Sequence, residues 1–198
     1  MAAKSNDTFP PEMIRLLKIF GIGSLLFVLL LSFFNDRRAN NTGKQESELW
    51  VSDAKRIFFK NLRGAFYDQE VRNDAKMTVY RHGKRAKVAV EPILNFAILI
   101  NRVKSEAYIY AETSDEMLPI TLYWLNRRDQ QTGNLIFEGG DKMAHYAFAL
   151  KVYGLVGNEE VDFELSNSNG RTVLWKDEKE RNAVYATLED YFQLINPN

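Results

Sequence analysis

The chain has 198 residues, 26 basic and 26 acidic, with a formal net charge of zero and 13% aromatic residues. Zero net charge supplies no overall field to draw in nucleic acid, and the aromatic content sets the chain apart from disordered sequences. Cysteine is absent, which excludes disulfides, thiolate metal sites and cysteine nucleophiles and suits an oxidising compartment.

Residues 1–13 read as a short polar tail ending in Pro10 and Pro11, and a proline is tolerated at a helix start, where its missing N–H has no partner anyway. Residues 14–34 carry no charge beyond Arg15 and Lys18 and no hydroxyl beyond Ser24 and Ser32. About 20 such residues cross the ~30 Å hydrocarbon core as a helix, which satisfies its own backbone hydrogen bonds where lipid cannot. No small-residue cleavage pattern follows, so the stretch is expected to be an uncleaved transmembrane signal anchor. Arg15 and Lys18 near its start, and Arg37 and Arg38 after it, are assigned to the membrane interface, where long basic side chains reach the headgroups. The basic residues on the two sides nearly balance. The expected orientation, with the C-terminal domain periplasmic or otherwise extracytoplasmic, follows the usual signal-anchor layout.

Residues 35–47 are polar and read as a juxtamembrane linker. Residues 48–66 have helical periodicity, with Trp50, Val51, Ala54, Phe58, Leu62 and Ala65 on one side and Ser52, Asp53, Arg56, Lys60 and Arg63 on the other. The first set is expected to face the core, Ser47 to cap the helix, and Phe59 to point away as a contact residue. Residues 76–80 and 87–91 read as strands joined by a basic turn in which Gly83 supplies a positive φ. Residues 93–100 are apolar on both faces, the mark of a covered central strand. Further strands are expected at 106–112, 119–125 and 134–137. Residues 141–156 fit either period, and the Asp141 cap with the closing Gly157 and Asn158 favours a helix. A hairpin at 161–165 and 171–175 follows. The chain closes with a helix over 178–195 that presents Val184, Tyr185, Leu188, Tyr191, Phe192 and Ile195 on one face. The expected fold of residues 48–198 is therefore α+β: a largely antiparallel sheet of about six to seven strands with three helices packed on one face.

Neither His82 nor His145 has a second ligand at metal-site spacing. Glu138 and Asp141, flanking two glycines, read as a turn and a helix cap. No nucleophile elbow, Ser-x-x-Lys pair or phosphate loop occurs. No catalytic residue, metal or cofactor is expected, and the chain reads as a non-enzyme. The most distinct polar feature is the cluster Arg81, His82, Lys84, Arg85 and Lys87, expected to contact an anionic surface. The expected function is that of a single-pass membrane-anchored accessory or scaffold protein. Its partners are the lipid bilayer and another envelope or membrane-complex protein, with no nucleic acid. The alternatives are a tethered ligand-binding or sensory domain and a membrane-anchored hydrolase.

Overall fold

The computed structural model describes residues 10–33, 49–87, 92–114, 118–167 and 170–195. The chain divides into two units, residues 1–44 and 45–198. In the first, helix α1 runs Pro11–Phe33, and among the described residues it is the one helix long and apolar enough to cross a membrane. Its 23 residues rise about 34 Å at 1.5 Å each. The Ser24 hydroxyl donates to the Gly21 carbonyl at 3.0 Å, so this polar group is satisfied inside the helix. Arg15 and Lys18 are exposed on its N-terminal half, and Arg37 and Arg38 lie outside the described residues, as does the 35–47 linker.

The second unit is α+β, as its sequence predicts, and its strands divide between two antiparallel sheets of four. The first sheet is a meander, β1 (Tyr67–Arg72), β2 (Met77–His82), β3 (Leu94–Asn101) and β4 (Ala107–Thr113), in that order. The second holds β5 (Ile120–Asn126), β6 (Thr132–Phe137), β7 (Val161–Asn167) and β8 (Gly170–Leu174), in the order β6-β5-β7-β8. Helix α3 is Lys142–Val156 and α4 is Glu178–Ile195. Residues 141–156 thus resolve as a helix: the Asp141 carboxylate accepts from the backbone N–H of Met143 and of Ala144, both at 3.0 Å, fixing its start. Strand β3 has the covered inner position its apolar run demands, between β2 and β4.

Helix α4 lies across β2, β3 and β4, and buries Val184, Leu188, Tyr191 and Ile195 as its periodicity predicts. Tyr185 and Phe192 turn toward α3, where both stack on Tyr153, at 5.9 and 5.0 Å. The Trp175 indole donates to the Leu94 carbonyl at 2.9 Å, tying the end of β8 to the start of β3. The Arg181 guanidinium donates to the carbonyls of Val156, Asn158 and Val161 at 3.1, 2.6 and 2.8 Å, closing the C-terminal end of α3, where its charge also opposes the helix dipole.

Three expectations are corrected. Strand β1 was not foreseen: the turn at 73–76, with Lys76 at φ 54°, closes a hairpin whose first strand is charged and, beyond Tyr67, exposed. Gly83 is not at positive φ. Its N–H donates to the Phe66 carbonyl at 2.8 Å, and a Cβ there would lie 3.3 Å from that oxygen, so glycine allows a close approach. Residues 88–91 of the expected second strand lie outside the described residues.

The third correction concerns the first helix of this unit. Residues 49–51 are extended: Val51 N–H donates to Ser105 O at 2.9 Å, and Ala107 N–H to Leu49 O at 3.0 Å. The helix begins only at α2, Asp53–Phe58, capped by the Ser52 hydroxyl, which accepts from Lys55 N–H at 3.2 Å; Ser52, not a residue before Glu48, is the cap. It continues through a π turn, Phe59–Arg63, and a 3-10 turn, Gly64–Phe66. Trp50 and Val51 are outside the helix and do not set its phase. Phe59 is buried, and Phe58, Leu62 and Ala65 face out.

Candidate interaction surface

The outward face of this segment is a ridge of four large apolar side chains. Ile57, Phe58, Leu62 and Phe66 are each more than half exposed, between 53% and 57%. Phe58 and Leu62, four residues apart, share one face of the segment, while Phe59, next to Phe58, turns into the core. The Phe59 ring packs edge-on against Tyr80 at 5.1 Å and tilts on Tyr67 at 5.6 Å. The Arg63 guanidinium lies 5.2 Å from the Phe66 ring centroid.

Behind the ridge the segment is held by a buried carboxylate on α4. Asp190, 4% exposed, accepts from Arg63 Nε at 2.7 Å and from the Tyr67 hydroxyl at 2.7 Å. Burial first, and the carboxylate second, push the Tyr67 hydroxyl well above its ordinary range, so it stays a donor. The hydrogen bond to Asp190 raises the Arg63 pKa in turn, so that side chain stays charged. A cleft of 280 Å³ opens between ridge and α4, lined by Lys55, Phe58, Phe59, Arg63, Asp190, Gln193 and Leu194. The arrangement is an apolar surface with cationic flanks, backed by the Arg63–Asp190–Tyr67 network.

The basic cluster read from the sequence is drawn into the first sheet. Arg81 takes Glu112 in a fork, Nε to the two carboxylate oxygens at 2.8 and 2.9 Å, and reaches Glu70 at 2.6 Å. Arg85 and Lys87 share Asp68, at 2.6 and 3.2 Å. These cations hold the exposed carboxylates of Asp68 and Glu70 below their ordinary pKa. Lys84 is exposed at the turn. A 490 Å³ cleft here is lined by Arg81, Arg85 and Lys87, but also by Glu112.

His82 and His145 are both buried and both accept through Nδ1, which puts the proton on Nε2. His82 accepts from Lys84 N–H at 3.2 Å. His145 on α3 accepts from Ala111 N–H at 3.1 Å, satisfying an edge donor of β4, and its ring stacks on Tyr110 at 4.1 Å. Burial lowers both pKa values from 6.5. The unfolded chain therefore takes up these protons near pH 6.5 while the folded chain resists until lower pH, so acid favours unfolding. Stability is expected to fall as pH drops from 7 through this window. His145→Gln, which keeps an acceptor but cannot titrate, should make that slope shallower in denaturant unfolding at stepped pH. An unchanged slope would show that His145 does not contribute to it. Among the described residues no three of His, Asp and Glu converge on a point that could hold a metal.

Comparison with protein-family models, with curated proteins and with solved structures finds no match for this chain.

Sequence reasoning missed the ridge because it placed Phe58 and Leu62 in the core. The missed signal is the Ile57-Phe58-Phe59 run itself: three consecutive large apolar residues exceed what one helix face can bury.

Proposed function

We propose that this chain is a single-pass membrane-anchored accessory protein without catalytic activity, whose residues 45–198 dock another membrane or envelope protein through the apolar ridge of residues 57–66. The observation that carries this reading is the exposure of Ile57, Phe58, Leu62 and Phe66 on one short segment backed by the Arg63–Asp190–Tyr67 network. A cluster of large exposed apolar residues of this kind marks interaction sites on soluble domains. Aromatic anchors on a preorganised element lose little entropy on binding, which is how a few residues come to dominate an interface. The proposal places the module on the extracytoplasmic side, in keeping with a sequence free of cysteine.

The test is photo-crosslinking in the host membrane, with a benzophenone amino acid in the full chain at Phe58 or Leu62. One discrete protein adduct is expected at both positions and none at Val71, an exposed residue of the charged edge strand β1. Adducts to lipid alone would remove the protein-docking reading. A phosphatase fused after Asn198 should be active; a silent phosphatase beside an active cytosolic reporter would reverse the side.

A further inference from the structure

Among the described residues the four outer sheet edges are protected unequally. The β4 edge is covered, since residues 49–51 bond to its start and His145 accepts from Ala111. The β1 edge carries Asp68, Glu70 and Arg72, and the β8 edge carries Arg171. Charge on an edge strand is a common guard against pairing with another chain. Strand β6, Thr132-Gly133-Asn134-Leu135-Ile136-Phe137, has no charge and no proline.

Its backbone polarity follows from the hairpin register. Asn126 N–H donates to Gln131 O at 2.8 Å. Bonded pairs alternate along an antiparallel ladder, so Gly133, Leu135 and Phe137 turn their N–H and C=O toward β5, opposite Trp124, Leu122 and Ile120. Thr132, Asn134 and Ile136 turn theirs outward. Their side chains are exposed too, Ile136 at 63%. The inner face is sealed: a Cβ at Gly133 would lie 2.6 Å from the Trp124 ring, so the indole lies against the strand there.

We propose that two copies of this chain associate by antiparallel pairing of β6 with β6, across a two-fold axis at Asn134. The second sheet then continues from one copy into the other. Thr132 pairs with Ile136 of the second copy, Asn134 with Asn134, and Ile136 with Thr132, giving about six backbone hydrogen bonds. A charged strand pairing with itself about a dyad sets like charges near each other; this strand brings none. The same register carries charge complementarity beyond the strand ends. The β5–β6 turn, with Arg128, falls near Glu138 of the other copy, whereas Arg127 is held by Glu160 and Asp162 of its own chain and Asp141 caps α3. Arg128 and Glu138 are exposed and positioned for that contact. This inference does not rest on the apolar ridge of residues 57–66, which lies on different elements.

The chain has no cysteine, so a single introduced thiol is unique. In the full chain, reconstituted in lipid nanodiscs large enough for two copies, Asn134→Cys should form a covalent dimer with a short bifunctional thiol reagent, because directly opposed Cβ atoms lie about 5 Å apart. Thr132→Cys alone should not, since its two copies sit about four residues apart along the strand, roughly 13 Å. Thr132→Cys mixed with Ile136→Cys should. Adding Ile136→Lys to Asn134→Cys should slow cross-linking at least tenfold without lowering the melting temperature. The proposal is overturned if Asn134→Cys cross-links no faster than Lys151→Cys on the exposed face of α3. It is also overturned if Thr132→Cys alone reacts as well as the mixture, or if Ile136→Lys leaves the rate unchanged. A dimer held by the anchor alone would give the first of these results. An Asn134→Cys adduct with a different protein in the host membrane, in place of self-cross-linking, would assign the edge to a foreign strand and equally overturn it.

Discussion

Asp190→Ala is expected to destabilise the C-terminal unit by about 3 kcal/mol, at the lower end of the range for breaking a buried ion pair. The carboxylate is nearly sealed from water, its side chain 3% exposed, and it is the acceptor for both Arg63 and Tyr67. Removing it leaves the buried Tyr67 hydroxyl without that acceptor, at a cost of about 1–3 kcal/mol. The Arg63 side chain is 35% exposed and can turn part of its charge to solvent, so the loss stays below the maximum for a fully buried cation. Asp190→Asn keeps one carbonyl acceptor and should cost about half as much. Replacing both charges, Arg63→Met with Asp190→Leu, should recover much of the loss, because an apolar pair carries no desolvation penalty. Urea unfolding of the full chain in detergent, followed by tryptophan fluorescence, reads all three variants. A loss below about 1 kcal/mol for Asp190→Ala would mean that this carboxylate does not hold the π turn and the start of β1 to α4.

The same contact shows where local sequence reading stops. The α4 face of Val184, Leu188, Tyr191 and Ile195 is written in its own periodicity, and Asp190 lies beside that face as one polar residue among several. Its partners are 127 and 123 residues away in the chain, and no local pattern points to them. The cationic run from Arg81 to Lys87 is plain in the sequence, but its carboxylate partners depend on a strand register that brings Glu112 to Arg81 across β3. Strand β3 was legible because burial on both faces requires an unbroken apolar run. Strand β1 was not, because an edge strand needs few apolar residues and this one buries only Tyr67. The division of the strands between two sheets is likewise a matter of pairing that alternation within a strand cannot encode.

Phe59→Ala is expected to cost about 3–5 kcal/mol, while Phe58→Ala, one residue earlier, should stay within about 0.5 kcal/mol of the parent. Helical periodicity over 48–66 predicts the opposite, so this pair tests the phase of the segment directly. Phe59 is 2% exposed and fills the space between Tyr67 and Tyr80; truncating it removes two aromatic contacts and leaves a cavity against side chains anchored in β1 and β2. Phe58 is 56% exposed, and its loss removes apolar surface that water already reaches. Leu62→Ala should behave like Phe58→Ala for the same reason. If the ridge docks a partner, the two phenylalanines separate a second time: Phe58→Ala abolishes the adduct at Leu62 while melting as the parent does, and Phe59→Ala loses the adduct only as it unfolds. Should Phe58→Ala be the unfolding variant and Phe59→Ala the silent one, the helix runs unbroken from residue 48 with its apolar stripe inward. The ridge and the docking function built on it would then both fall.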